Sequence, residues 1–220
     1  MNTAGHIAVA AILHPAATST DTFGRTSVLL GSALPDICNI AQVKLRNRPE
    51  PTSLAKGVDL HHRTDSLFHA HTWFRDLMSD AMQSLLDKGV NRGAARACSH
   101  VGPELLLDGA LLEQAWVKEA SQNAFEHIEF VLDELAPMVD ESDREQWVNT
   151  LQRLAKRSAP IDHSDPGQVA IRLERILRSR PRLALAPQSV PVVVDVLTEI
   201  QPSIQRDAQW LAADLAKQLN

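Results

Sequence analysis

The sequence predicts an all-α fold, and three observations carry that prediction. Helix-forming residues, above all Ala, Leu, Gln, Glu, Arg and Lys, dominate the chain. Apolar residues recur at steps of three and four, the period of an amphipathic helix, and no series alternates in the manner of a strand. The length of 220 residues is enough for one sizeable core, so we expect residues 1–220 to form a single helical domain.

Prolines, N-caps and glycines divide the chain into its predicted helices. Pro15 and Pro35 should stop or restart a helix, because proline disfavours helical geometry in the residue before it. Asp36 would then lie at a backbone irregularity, which is a good place to present a ligand. In chain order, we predict helices over residues 4–13, about 22–34, about 52–88 with a bend near its histidines, from about 91 with Gly102-Pro103 inside it, and over about 110–138, 141–157, 166–179 and 189–218.

Pro103 sets the expected start of a helical face that carries two acidic residues. Proline suits the first turn of a helix and is poorly tolerated in a helix interior. Glu104 and Asp108, which follow it four residues apart, are therefore expected to share one helix face. His100 would lie in the turn before that helix.

Charge and cysteine content narrow the classes of function. A formal net charge of −5 argues against a general nucleic-acid binder, because phosphate-backbone binding relies on clustered Lys and Arg. The two cysteines lack CxxC spacing, which suits a reducing cytoplasm, and we expect a cytoplasmic protein. The apolar stretch IAVAAIL lacks a basic leader and is far below the roughly 20 residues needed to span a bilayer, so no membrane partner is expected.

Two columns of potential metal ligands stand out in the segments GVDLHHRTDSLFHAHTWFRD and SHVGPELLLDG. Residues four apart share one helix face, so each column can aim its ligands in one direction. Seven of the nine histidines also lie in the first hundred residues. A divalent metal site built mainly from residues 1–110 is therefore the first hypothesis. The columns are His61, Asp65 and His69, and His100, Glu104 and Asp108.

Helix geometry limits how one ion can be held. Eight residues of helix span about 12 Å, so His61 and His69 cannot easily bind one ion together. Either a subset binds one metal, or the columns serve two ions about 3.5–4 Å apart. Mixed histidine and carboxylate ligands suit Zn, Fe or Mn, and a carboxylate-heavy selection favours Mn or Mg. The alternative is that the columns are surface pairs on exposed helices.

Five patches, in this order along the chain, read MNTAGHIAVA, GSALPDI, GVDLHHRTDSLFH, ELLLDG and SRPRLA. Together they resemble the acyl carrier protein phosphodiesterase family, a group of helical metal-dependent phosphodiesterases related to the HD-domain hydrolases. The resemblance implies an HD-domain-like single-domain helical bundle. It also implies a metal-dependent phosphodiesterase or phosphohydrolase, in which water activated by the metal attacks phosphorus.

The same resemblance assigns roles to particular residues. It implies that Arg63 and Arg75 hold phosphate oxygens, for which a planar guanidinium is well suited. Asp36 or Asp65 would accept the proton of the attacking water. The family metal is expected to be Mn or Mg. The resemblance implies a metal centre built from His6, Asp36, His61, Asp65, Glu104 and Asp108.

The chain departs from the family pattern at three places. His69 and Glu104 stand where the family places aspartates, and Gly109 replaces a histidine. The histidine missing at 109 is a candidate for a lost ligand, which His100 would replace. His69 and His100 are therefore added to the predicted ligand set, and the extra imidazoles shift the expected metal towards Zn or Fe.

The sequence is compatible with three alternatives for the natural substrate and function. One possible partner is acyl carrier protein, which is strongly acidic, and its docking surface should be lined by basic side chains. The alternative is that these basic side chains only solvate loops. A second possibility is an HD-like hydrolase of a small phosphorylated metabolite or nucleotide. A third is a non-catalytic metal-binding helical module. The basic candidates are Lys44, Arg46, Arg48, Arg178, Arg180 and Arg182.

Overall fold

A computed structural model describes residues 1–16, 21–46, 52–157 and 163–220. Within these ranges the chain is helical and has no strand, so the predicted all-α class is confirmed. Among the described residues, no helix is both long enough and apolar enough to cross a membrane. The helices are α1 (Thr3–Leu13), α2 (Thr22–Ala41), α3 (Ser53–Ala70), α4 (Thr72–Asp87), α5 (Arg92–Leu112), α6 (Ala115–Glu126), α7 (Ile128–Leu135), α8 (Arg144–Arg157), α9 (Pro166–Leu177) and α10 (Val190–Leu219).

Two prolines lie inside helices. Pro35 is inside α2, so the predicted break there is wrong, whereas Pro103 is inside α5, as predicted for the helix that begins near residue 91. His100 consequently belongs to α5 and not to a preceding turn. An interior proline costs about 3 kcal/mol, whereas burial of one large apolar side chain contributes about 1.5–3 kcal/mol. Both helices are largely buried, and that burial offsets the cost.

The predicted helix over 52–88 is two helices. His71 separates α3 from α4 with an extended backbone, and its Nδ1 accepts a hydrogen bond from Trp73 N at 3.1 Å. Its side chain therefore caps α4 in the manner of an N-cap residue. The bend predicted near the histidines is a break at this residue. The helix predicted over 110–138 is likewise divided, because α6, α7 and a 3-10 turn at Ala136–Met138 occupy most of it.

The described residues fall into two compact units, each made of discontinuous segments. The α1 unit comprises Asn2–Ser66, Leu112–Ile161 and Ala212–Asn220. The α5 unit comprises Met1, Leu67–Leu111 and Asp162–Leu211. The single-domain expectation stays a prediction, as does the HD-like arrangement of the helices.

Each unit has its own apolar interior. In the α1 unit, fully buried Ile7, Phe125 and Trp147 belong to one core cluster, and Trp147 Nε1 donates to Leu135 O at 2.8 Å. Burial of the indole is therefore achieved without leaving its N–H unsatisfied. In the α5 unit, the buried rings of Phe68 and Phe74 lie 4.2 Å apart, centroid to centroid.

Candidate metal centres

A close approach of α2 and α3 builds the first site. A Cβ added to Gly57 would lie 2.3 Å from Val28 O and 2.7 Å from Gly31 Cα, and a Cβ on Gly31 would lie 2.3 Å from Leu54 O. Two glycines thus let the helix backbones touch. His61 follows Gly57 by one helical turn, and Asp36 follows Ser32 by one turn, so the contact brings both side chains to the same place.

The tautomer of His61 follows from one hydrogen bond. Its Nδ1 donates to Ser32 O at 2.8 Å, and a carbonyl oxygen can only accept, so Nδ1 carries the hydrogen. The lone pair of Nε2 is then available to a metal, the arrangement that orients many histidine ligands. Pro35, which lacks an N–H, lies in the same turn of α2 as this carbonyl.

Burial keeps His61 in the neutral form that binds metals. The side chain is 6% exposed, and burial lowers its pKa to about 4, against the smaller raising effects of the Ser32 hydrogen bond and the Asp65 charge. At neutral pH the imidazole is therefore uncharged, as a metal ligand must be.

Three helices meet at this first site. His6 comes from the mostly apolar α1 and is 1% exposed, and its ring stacks on that of His61 with centroids 3.8 Å apart. One ligand atom from each of His6, Asp36 and His61 lies within 4.8 Å of the others. We call these three residues the buried group. The structure thus brings together three of the predicted ligands, from α1, α2 and α3.

Asp65 and Arg63 lie differently with respect to the buried group. Asp65 Oδ1 is 3.7 Å from His6 Nε2, and its side chain is 37% exposed, so this carboxylate borders the group and also reaches solvent. Arg63 is two residues from His61 and from Asp65, which places it on the opposite side of α3. It is exposed and donates to Leu219 O at 3.0 Å. The structure therefore does not bring Arg63 to the predicted metal centre.

A second set of predicted ligands lies in the α5 unit. His69 Nε2 is 3.6 Å and His100 Nε2 is 3.4 Å from Glu104 Oε1, and the ligand atoms of the three residues lie within 4.8 Å of one another. The amino nitrogen of Met1 is 3.2 Å from the same oxygen. We call His69, His100 and Glu104 the half-exposed group, because only Glu104 among them is buried.

Asp108, predicted as a ligand, is buried in α5 and belongs to neither group. The neighbouring Gly109 has a structural reason to be glycine. A Cβ there would lie 2.5–2.7 Å from backbone atoms of His163 and Ser164, so no side chain fits without moving that segment. A histidine at 109 is thus incompatible with this packing, and the buried His163 lies beside the same turn.

The predicted phosphate and docking residues are exposed where the structure describes them. Arg75 is exposed on α4. Arg46 pairs with Asp140 at 2.9 Å, and Arg178 pairs with Glu174 at 2.7 Å. Exposed ion pairs of this kind are worth about 0–1 kcal/mol, so both arginines can exchange partners readily. Lys44, Arg180 and Arg182 are also exposed, and Arg48 lies outside the described residues.

The buried group has the chemistry of a site for a divalent cation. Two imidazoles and one carboxylate suit Zn, Fe or Mn better than Mg, which prefers oxygen ligands. The orientation of His61 by a main-chain carbonyl supplies the outer hydrogen bond that metal-binding histidines usually make. Sequence spacing indicated the ligands, but neither Ser32 nor the two glycines was predicted to hold them. The signal was present as Gly57, one turn before the predicted ligand His61, and as Gly31, which precedes Ser32.

Comparisons with models of protein families, with curated proteins and with solved structures gave no match to this chain.

Proposed function

We propose that this protein is a metal-dependent phosphohydrolase that holds its divalent cation at His6, Asp36 and His61. The observation that carries the proposal is the convergence of these ligands in the interior of the α1 unit, with the tautomer of His61 fixed by Ser32 O. Two imidazoles and one carboxylate whose ligand atoms lie within 4.8 Å of one another can share one divalent cation.

Asp65 is the proposed proton acceptor. It borders the buried group at 3.7 Å from His6 yet remains partly exposed, so it is accessible to water and substrate. A divalent cation would lower the pKa of water and offset the charge of the phosphate. The Asp65 carboxylate would take the proton that the attacking water loses, a contribution that is typically worth about 10²–10⁴ in rate.

A phosphodiester is the proposed substrate, on the strength of the five sequence patches that resemble the acyl carrier protein phosphodiesterases. An HD-like arrangement of the helices is part of the same proposal. An acidic carrier protein would meet exposed basic side chains, either those of the 44–46 segment in the α1 unit or those of residues 178–182 in the α5 unit. A small phosphorylated metabolite or nucleotide, as the rival substrate, would not need them. Manganese is the proposed metal, because the resemblance implies it and because it suits a mixed set of histidine and carboxylate ligands.

One observation favours a non-catalytic metal-binding module instead. Arg63, a predicted phosphate contact, points away from the buried group and bonds Leu219 O. A phosphohydrolase needs some cation to balance the phosphate charge. If the metal alone does not balance that charge, the group would bind an ion without turnover.

Hydrolysis of a generic phosphodiester by metal-stripped protein, with Mn, Mg, Zn and Fe added in turn, tests the proposal. Asp65→Ala should lower turnover by at least about 100-fold while the far-ultraviolet circular dichroism stays that of the wild type. Asp59→Ala is the matched control, because Asp59 is an exposed acid on the same helix. Wild-type turnover in Asp65→Ala, or no turnover with any ion in the parent protein, would overturn the assignment.

A further inference from the structure

The spacing of the half-exposed group differs from that of a hydrogen-bonded cluster. Charge-assisted N–H···O bonds span about 2.7–2.9 Å, whereas the Nε2 atoms of His69 and His100 lie 3.6 and 3.4 Å from Glu104 Oε1. Two ligands of one tetrahedral ion, each about 2.0–2.1 Å from it, lie about 3.3–3.4 Å apart. These two Nε2–Oε1 separations match co-ligands better than hydrogen-bond partners. The same oxygen accepts a hydrogen bond from the Met1 amino group at 3.2 Å, which a bound cation would displace.

An apolar support orients both imidazoles. The buried ring of Phe74 makes edge contacts with His69 and with His100, with centroids 5.4 and 5.6 Å apart. The two imidazoles are nearly parallel, with an interplanar angle of 14° and centroids 4.9 Å apart. Rings held in this way lose little freedom when they bind an ion, which favours binding.

The third ligand is fixed by the helix. His100 and Glu104 are one turn apart in α5, so their relative position is set by helix geometry. Glu104 is buried, while the side chains of His69 and His100 are 32% and 42% exposed. One side of the group therefore faces solvent and the other faces protein.

We propose that His69, His100 and Glu104 form a second cation site, suited to Zn²⁺ and to its neighbours Co²⁺ and Ni²⁺. Two imidazoles and one carboxylate are a ligand set that these ions prefer over Mg²⁺ or Ca²⁺. Three protein ligands leave at least one coordination position for water or an anion, as in zinc sites that exchange ligands. The site does not rest on the proposed hydrolysis at the buried group, and it exists whether or not that reaction takes place.

Cobalt binding to the metal-stripped full chain tests this site without any assay of turnover. Co²⁺ bound by two imidazoles and a carboxylate gives visible absorption bands whose intensity reports coordination number. We expect wild-type protein to take up two equivalents of Co²⁺ or Zn²⁺, one at each group. His100→Ala should lower the affinity for one equivalent by at least about 10-fold and change the visible spectrum.

Two further variants separate the sites. Glu104→Gln keeps the shape of the side chain and should have the same effect as His100→Ala, whereas His61→Ala should remove the other equivalent. Arg96→Ala, an exposed change one turn before His100 on α5, is the matched control and should bind as the wild type does. If His100→Ala and Glu104→Gln both keep wild-type stoichiometry and spectrum, the second site does not exist. That result would leave the proposed hydrolase untouched.

Discussion

The two histidine groups use similar ligands in different surroundings. His6 and His61 of the buried group are almost wholly covered by protein, and a main-chain carbonyl holds one of them. His69 and His100 of the half-exposed group contact Phe74, and their side chains are 32% and 42% exposed. The first group is thus oriented by helix packing across α2 and α3, and the second by an aromatic ring and one turn of α5.

That difference has a consequence for metal exchange. A buried ligand set holds an ion behind protein and tunes its properties through the low-dielectric surroundings. A set with one open side exchanges its ion and its non-protein ligands more freely. We therefore expect the buried group to set the catalytic chemistry of the proposed hydrolase, while occupancy of the half-exposed group follows the metal supply.

The largest expected effect concerns acid stability. Burial lowers the pKa of His61 from 6.5 to about 4, so the unfolded chain takes up a proton below about pH 6.5 that the folded chain refuses until about pH 4. As the pH is lowered through that window, the free energy of unfolding of metal-free protein should fall by on the order of 3 kcal/mol in total. Above about pH 6.5 this contribution to stability should be fully present. Burial also lowers the pKa of His127, which acts in the same direction.

Urea unfolding of the metal-free protein at several pH values between about 8 and 4 measures how the free energy of unfolding depends on pH. His61→Gln should flatten the pH dependence of the unfolding free energy relative to the wild type. Equal slopes in wild type and His61→Gln would show that burial of this imidazole does not cause the loss of stability in acid.

The next effect concerns the helix contact beneath the buried group. Gly57→Ala would place a Cβ 2.3 Å from Val28 O, so α2 and α3 must separate, which costs about 1–3 kcal/mol of unfolding free energy. Loss of the His61–Ser32 hydrogen bond should also weaken metal binding at this group by about 10–100-fold. Metal binding at the half-exposed group should not change.

Calorimetric titration with Mn²⁺ or Zn²⁺ measures the metal affinity, and chemical denaturation measures the free energy of unfolding. Lys56→Ala, an exposed change beside Gly57 on the same helix, controls for the effect of substitution on α3. Unchanged metal affinity in a folded Gly57→Ala variant would mean that the glycine contact does not orient His61.

The smallest expected effect belongs to Arg63. Because its guanidinium bonds Leu219 O on the side of α3 away from the buried group, Arg63→Ala should lower the unfolding free energy by less than about 1 kcal/mol. Turnover and KM for a phosphodiester should stay within about twofold of the wild type. A loss of turnover above about 10-fold would place Arg63 at the reacting phosphate after all.

Part of the site could be predicted from the sequence, because the spacing of its ligands matches one turn of helix. His100 and Glu104 were predicted as one column, and they lie together in α5. His61 and Asp65 were predicted as neighbours, and both lie beside His6. Local periodicity fixes which side chains of one helix share a face, since backbone geometry alone decides it.

The sequence did not predict that the ligands divide into two groups. The α3 column was divided between the two groups, because His61 joined ligands from α1 and α2 whereas His69 joined ligands from α5. The break predicted at Pro35 and the turn predicted at His100 are wrong for a related reason. Pro35 and Pro103 are tolerated because their helices are largely buried, and the energy of that burial does not appear in local propensity.

The sequence by itself determined that this chain is helical and that its histidines and carboxylates can share helix faces, because both properties depend on residues within a few positions of each other. Tertiary structure decided which faces meet. The contact of Gly31 with Gly57, the seating of 163–164 on Gly109 and the support of two imidazoles by Phe74 join residues distant in sequence or on separate helices. Such contacts depend on how whole helices pack, and no local pattern encodes them.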